Sequence, residues 1–378
     1  MQAKSKAKLY RALYLVVSWI TILTLPAIAQ PTPVYTFLKK EAAPAGKVYQ
    51  QQDLFSSEEV LRFKLVLNYK ELLKDRGDER SYHKAAVQYQ SPTGETVSLN
   101  LKVRVRGKYR RDPSVCRFPP LLLNFPKKEV ANTAFAGADK LKLVTHCNND
   151  KYVMREYLVY KLYNIVSHIS FKVRLCYIEY ADVDGGKAVT SNYGFLIEEE
   201  KTLAKRVGGT VMPDELLIRM DATENRTMAK LALFQYMIGN TDWSVPYRHN
   251  IVLLYLEAYG KPIPVPYDFD YNGIVIPPYA KPPPEVGITT VRQRVFRGYS
   301  FPEEVYAELV PFYNNRKEAF YQVYLTNLLI DEKYRKQTLK YLDGFFETIN
   351  KRKDFERQIV KVGQRNERVN VVVKGLEQ

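Results

Sequence analysis

Between about residues 60 and 125 apolar and polar positions alternate in short runs, whereas far along the chain the apolar positions recur every three or four residues. Alternation over 61–67, 83–89 and 97–105 predicts strands, with Ser91-Pro92-Thr93-Gly94 turning the chain into the third. Residues 121–125 and 141–144 read as two more. A helix is predicted over 150–166, where Val153, Tyr157, Tyr160 and Leu162 fall near helical spacing, and strands follow at 173–180 and 193–197. After Gly208-Gly209 the character changes. Residues 227–238 predict a helix, 251–256 a strand and 262–265 a strand-like segment. Residues 302 to about 353 predict a series of helices carrying Tyr, Leu and Phe at three- and four-residue spacing. A stretch with Pro277-Pro278 and Pro282-Pro283-Pro284 lies between them as an extended loop. The pattern predicts an α+β chain of two lobes, β-rich over 53–200 and mainly helical over 201–378, with a cleft between them.

The N-terminus reads as an address. Lys4, Lys6, Lys8 and Arg11 precede an apolar run over 13–25, and Pro26 leads into Ala27-Ile28-Ala29, a small-residue cleavage site. The run is short of the roughly 20 residues that span a bilayer, which favours a cleaved signal peptide (1–29) over a retained anchor. No later segment is long and apolar enough to span, so the expected location is secreted, periplasmic or at the cell surface. Residues 30–52, rich in Pro, Ala and Lys, read as a linker. Removing 29 of the 378 residues, four of them basic and none acidic, leaves 349 and lowers the net charge from +16 to +12. With 46% hydrophobic and 26% charged residues the chain is globular in composition, neither disordered nor low-complexity. Its positive charge suits an anionic partner without naming one.

Export permits disulfides. Of three cysteines, Cys116 and Cys147 lie in loop-like contexts and are expected to pair, leaving Cys176, in a strand-like run, buried and inert. The four histidines are scattered and no Cys/His group has zinc spacing.

Two segments of the second half carry candidate chemistry. One is the polar loop Gly239-Asn240-Thr241-Asp242-Trp243-Ser244-Val245-Pro246-Tyr247-Arg248-His249-Asn250, between a helix and a strand; the other is Tyr267-Asp268-Phe269-Asp270, at the end of a strand-like run. Phosphoryl transfer from a nucleotide needs a carboxylate to orient or deprotonate the attacking group and hard oxygen ligands for a metal on the phosphates. Asp, then Asn, then an apolar strand, then Asp-Phe-Asp supplies that set in order. The same residue types also cap loops and form turns. In the first half Lys142 lies on a predicted strand and Glu156 on the following helix, the types that grip phosphates and hold that lysine in kinases; taken singly, each reads better as a solvated strand-face or helix-surface residue.

Several motifs occur in order: Asn100 to Arg111 (NLKVRVRGKYRR), Phe125-Pro126-Lys127-Lys128, Leu141-Lys142-Leu143, Asn149 to Glu156 (NDKYVMRE), Asn192 to Glu198 (NYGFLIE), the Asp242 to Asn250 loop and Tyr267-Asp268-Phe269-Asp270. Together they resemble the CotH family of spore-coat and cell-surface proteins with an atypical kinase fold, at motif level over roughly residues 60–275. The resemblance implies a protein-kinase-like fold using ATP with Mg²⁺ or Mn²⁺. It implies Lys142 as the phosphate-binding lysine with Glu156 as its partner, and a segment ending at Glu198 that faces the adenine. It implies Asp242 as catalytic carboxylate, Asn250 and Asp268 as metal ligands, Asp270 as a second such candidate, and Arg106-Gly107-Lys108 near the phosphates. Two departures stand out. Asp242 and Asn250 are eight residues apart, against five in the general kinase loop, so three residues must bulge outward. The sheet half also has no Gly-x-Gly-x-x-Gly run.

The expected function is phosphate transfer from ATP to a hydroxyl of an acidic envelope protein or glycan, with Arg292, Arg294 and Arg297 placed to receive acidic groups. The alternative is a kinase-like module of the envelope that binds without catalysing. Export argues against nucleic acid as the partner of the basic run 104–111, which reads as a solvated face. Without a Gly-x-Ser-x-Gly elbow, a hydrolase reading has little to rest on.

Overall fold

The computed structural model describes residues 54–183 and 188–369; the expected signal peptide and linker lie outside them. Seven strands make the N-terminal half: β1 (Leu61–Leu67), β2 (His83–Gln90), β3 (Thr96–Val105), β4 (Leu121–Asn124), β5 (Lys140–Val144), β6 (Val173–Asp182) and β7 (Ala188–Ile197). They close into a barrel in the order β1-β2-β3-β4-β5-β7-β6. All neighbours are antiparallel except β1 and β6, which pair in parallel from Leu61 opposite Cys176 to Leu67 opposite Asp182. Closure removes the free edges an open sheet would expose. Alternation explains the filling: in β3, Leu99, Leu101, Val103 and Val105 are buried while Asn100 and Lys102 face water. The barrel interior joins these to Leu65, Val87, Leu123, Leu143, Ile178 and Leu196.

One position in this wall requires glycine. A Cβ on Gly194 would lie 2.8 Å from the Val144 carbonyl oxygen and 2.9 Å from Ile178 Cδ1. A short helix, α1 (Tyr69–Lys74), follows β1. The loop after β3 is tied to the loop before the long helix α2 (Asp150–Val166) by the expected Cys116–Cys147 disulfide, Cα–Cα 4.9 Å, and Cys176 is free and buried, its thiol pushed up to about 12 by burial.

Asn149 caps α2 by accepting from the Lys151 amide. The helix lies outside the barrel, where Tyr157 and Tyr160 meet Phe195 of β7. Beyond β7 come α3 (Glu200–Arg206), the short strand β8 (Thr210–Val211), α4 (Asn225–Ile238), β9 (Ile251–Tyr255) and β10 (Pro262–Pro266). Strands β8–β10 make a small antiparallel sheet in the order β10-β9-β8. Helices α5 (Glu303–Asn314), α6 (Lys317–Leu325) and α7 (Glu332–Asn350) come next. A second core runs without a break from α2 and the outward-facing Val173, Phe195 and Ile197 into α4, the small sheet and these helices.

The α+β class and the order of β-rich and helical parts match the sequence reading. The clear two-lobed arrangement does not: the strands close into a barrel, and the core that α2 shares with the helices is continuous. Periodicity marks strands without stating which edges meet, so the β1–β6 closure is invisible to it. Among the described residues no helix is long and apolar enough to cross a membrane.

Candidate functional site

The two acidic segments meet because of the β9–β10 hairpin. Ile251, first in β9, pairs with Pro266, last in β10, so the chain entering one strand and leaving the other emerge side by side. The Tyr267 amide donates to the Asn250 carbonyl at 3.0 Å, joining the two loops directly. The extra residues between Asp242 and Asn250 fold into a tight turn. Ser244 and His249 exchange backbone hydrogen bonds of 2.9 and 3.1 Å, and 245–248 project beyond them. Asn250 Nδ2 thereby reaches the Asp242 carbonyl at 2.8 Å and its carboxylate at 3.0 Å. His249 Nε2 lies 2.9 Å from the other carboxylate oxygen. The predicted bulge is thus real, and it brings Asp242 and Asn250 together.

Arg248, Asn250 and Asp268 all have left-handed backbones, with φ of 52°, 54° and 56°. Asn and Asp adopt that region more readily than other side-chain-bearing residues, and backbone strain of this kind gathers at functional sites. Phe269, fully buried against Tyr160, Tyr163 and Phe234, pins the second segment onto α2 and α4. The Asp268 amide donates to the Tyr160 hydroxyl at 2.8 Å.

Arg110 occupies the centre. It belongs to a single turn after β3, Tyr109–Arg111, and is buried, contrary to the solvated face expected for residues 104–111. Its Nη1 donates to Glu156 at 3.1 Å, its Nη2 to Asp268, and its Nε lies 3.3 Å from Asp270. Tyr279 donates at 2.8 Å to the same Asp270 oxygen, Oδ2, that faces Arg110. Glu156 is 1% exposed, and its second oxygen, Oε1, has no hydrogen-bond partner among the described residues.

One guanidinium thus faces three carboxylates in a low-dielectric setting, and the charges sort accordingly. Burial pushes Glu156 up to about 8, with Asp270 and Asp268 adding to the rise against Arg110. Burial, helped by the charges of Asp268 and Asp242, likewise pushes Asp270 up to about 6. Asp268 moves the other way: burial opposes its charge, but Arg110, then Arg106, Lys142 and His249, outweigh it and hold the carboxyl below its ordinary value. Burial disfavours the Arg110 cation, yet the three carboxylates lift it well above the usual arginine value. Half-buried Arg106 is therefore within electrostatic reach of Asp268 while making no ion pair among the described residues.

Three expected arrangements require correction. Lys142 does not pair with Glu156. It binds Glu200 at 2.6 Å and lies 4.7 Å from the centre of the Tyr267 ring, because Glu156 is already engaged by Arg110 on the inner face of α2. Glu198 faces inward. It is 1% exposed, grips Arg206 of α3 through both oxygens at 2.8 Å, and accepts from the Lys172 amide, so its side chain clasps the exit of β7 to α3. Arg294 and Arg297 also turn inward, to the carbonyls of Met237 and Thr241, and Arg292 reaches that of Gly273. Arg297 thereby holds the backbone immediately before Asp242. No signal in residue type distinguishes these arginines from solvated ones, and none marked His249, Tyr160 or Tyr279.

Among the described residues no group of three or more His, Cys, Asp or Glu is placed to hold a metal ion. Asp268, Asp270 and Glu156 are close enough to share one cation, but that cation is Arg110. As arranged, the expected ligands do not fit Mg²⁺ or Mn²⁺, which need several oxygens converging on one point.

No protein-family model matches the chain, and no curated protein sequence matches it. Solved structures similar to it include the Helicobacter pylori proinflammatory kinase CtkA, at 9% identity and a TM-score of 0.33 over 68% of this chain and 92% of that one. Another is the Shewanella oneidensis toxin–antitoxin system HipA with HipB and operator DNA, at 12% identity and a TM-score of 0.34 over 85% of this chain and 76% of that one. Likenesses this slight carry no functional weight.

Proposed function

We propose that this chain is an exported, CotH-like atypical kinase that binds ATP between the barrel and the helical half and transfers its terminal phosphate to a hydroxyl of an envelope protein or glycan. The observation that supports this best is convergence: Arg106, Lys142 and His249, far apart in sequence, all lie within electrostatic reach of Asp268, and His249 is hydrogen-bonded in turn to Asp242. Arg106 and Lys142 supply positive charge for phosphates. Asp242 supplies a carboxylate, held from two sides by His249 and Asn250. In the transfer the acceptor oxygen bonds to the terminal phosphorus, the bond to the bridging oxygen breaks with its electron pair leaving on ADP, and the hydroxyl proton passes to Asp242. A divalent ion would neutralise phosphate charge in such a reaction, but Arg110 fills the carboxylates that would hold it.

A second reading, a kinase-like envelope module that binds without catalysing, is favoured by that same Arg110 contact. The two separate on transfer of label from γ-labelled ATP to envelope extract or to the chain itself. The kinase reading expects transfer that Asp242→Asn abolishes; absence of transfer by the wild type, with nucleotide binding intact, leaves the binding module.

A further inference from the structure

The outer wall of the barrel gathers cations that face no acid. Across β2–β5 the register sets outward side chains in rungs: Lys84 opposite Lys102, Lys102 opposite Asn124, and Asn124 opposite Lys140. In the next rung Arg104 is opposite Leu122 and Leu122 opposite Lys142. Neighbouring strands lie about 5 Å apart and successive outward residues of one strand roughly 7 Å apart, so these cations form a patch of two rows. Lys84, Lys102 and Lys140 are exposed, and neither rung contains an acid. Lys142 is paired with Glu200, but Lys84, Lys102, Arg104 and Lys140 make no ion pair among the described residues. Arg104 lies over the ring of Tyr82, 4.8 Å from its centre. Like charges directly opposite on a sheet are destabilising, so the Lys84–Lys102 pair is one that a bound anion would relieve.

We propose that the outer wall of β2–β5 is a docking surface for an acidic polysaccharide, whose carboxylates settle along Lys84, Lys102 and Lys140 and which Arg104 leads toward Arg106 and Lys142. A flexible polymer with a negative group on each sugar suits the convex wall of a closed barrel, because it can drape over separate cations and engage several at once. Other polyanions suit it less. None of the exposed large hydrophobic side chains lies on these four strands, so the wall offers a single-stranded nucleic acid no ring to stack on and a membrane nothing to insert. The arginines expected to receive acidic groups, Arg292, Arg294 and Arg297, turn inward to backbone carbonyls, whereas this wall faces solvent. Lys142 in the second rung and Arg106, two residues beyond Arg104, both act on Asp268, so the docked polymer lies beside the proposed transfer site. That the polymer is the phosphate acceptor rests on the kinase-like reading; the docking itself does not.

The test titrates the full chain, without nucleotide, into a fluorescently labelled polygalacturonate oligomer and reads anisotropy at about 50 and 200 mM salt. Wild-type affinity is expected to fall roughly tenfold or more between the two, since each cation engaged releases counterions. Lys84→Gln, Lys102→Gln and Lys140→Gln together, all at exposed positions, should weaken binding roughly tenfold or more at the lower salt. A comparison variant, Lys261→Gln with Lys333→Gln and Lys340→Gln, removes the same charge from exposed positions elsewhere and should bind as the wild type does. Equal weakening of the two variants would overturn the proposal, because net charge rather than this wall would then govern binding. So would a wild type that ignores the oligomer, or one that prefers single-stranded DNA or vesicles of anionic lipid to it at matched charge. Binding of the oligomer without transfer of label from ATP leaves the surface standing and counts against the kinase reading alone; transfer without binding does the reverse.

Discussion

Replacing Glu156 with Gln should make the protein more stable above neutral pH, although it removes one partner of a buried ion pair. The side chain is 1% exposed and accepts from Arg110 at 3.1 Å through one oxygen only. Gln keeps an acceptor for that bond and removes a charge that Asp268 and Asp270 oppose. Burial, reinforced by those two aspartates, raises the carboxyl from 4.5 to about 8 on folding. A carboxyl whose native value lies above its unfolded one binds more protons folded than unfolded between the two, so its contribution to stability falls as pH rises from 4.5 to about 8. At about 1.4 kcal/mol per pH unit this amounts to roughly 5 kcal/mol as an upper bound.

Part of that is lost because the three carboxylates titrate together, and the new amide finds no partner at the Oε1 position. A net gain of about 1–3 kcal/mol at pH 8 is therefore expected, or several degrees in melting temperature at roughly 2–4 °C per kcal/mol. At pH 5 the two proteins should be nearly equal. Asp270, raised from 3.8 to about 6, adds a loss of the same sign at lower pH. Asp268, held low, acts oppositely: it stabilises above its unfolded value of 3.8, and that support is lost as pH falls. The assay is thermal denaturation of both proteins from pH 5 to 8.5. If the variant is destabilised by a constant amount across that range, Glu156 is a permanently charged anchor of Arg110 and the charge argument is wrong.

Other consequences are more local. Arg206→Ala leaves Glu198 buried with its two 2.8 Å bonds gone, and should cost about 3 kcal/mol in urea denaturation; Arg206 is itself about a quarter exposed, which keeps the figure at the lower end of the range for broken buried pairs. Gly194→Ala places a methyl 2.8 Å from the Val144 carbonyl and should cost about 1–3 kcal/mol, read from the same curves. Cys116→Ser with Cys147→Ser removes the tie between the turn that carries Arg110 and the start of α2, and should cost about 2–4 kcal/mol.

Much of the strand and helix pattern was legible because alternation and three-to-four-residue recurrence report burial directly: the β3 run with Leu99, Leu101 and Val103 inward is a plain case. The order of the acidic residues was legible too, and so was the need for a bulge between Asp242 and Asn250. Partner choice was not. Lys142, on β5, and Arg110, in the turn after β3, are both cations of the barrel half, and only the three-dimensional path of that turn decides that Arg110, rather than Lys142, reaches Glu156. Glu198 read as a cleft residue because its neighbours did; its side chain points to α3, whose Arg206 lies eight residues on. His249 carried no signal, since its role depends on the turn that folds it back onto Asp242.

Whether Arg106, Lys142, Asp242 and Asp268 form a site for nucleotide phosphates is decided by titrating the purified chain with ATP while its melting temperature is recorded. A saturable rise that Lys142→Ala removes is expected, since a ligand that binds only the folded state must stabilise it. A wild-type melting temperature that does not move at millimolar ATP, with or without Mg²⁺, would refute the site.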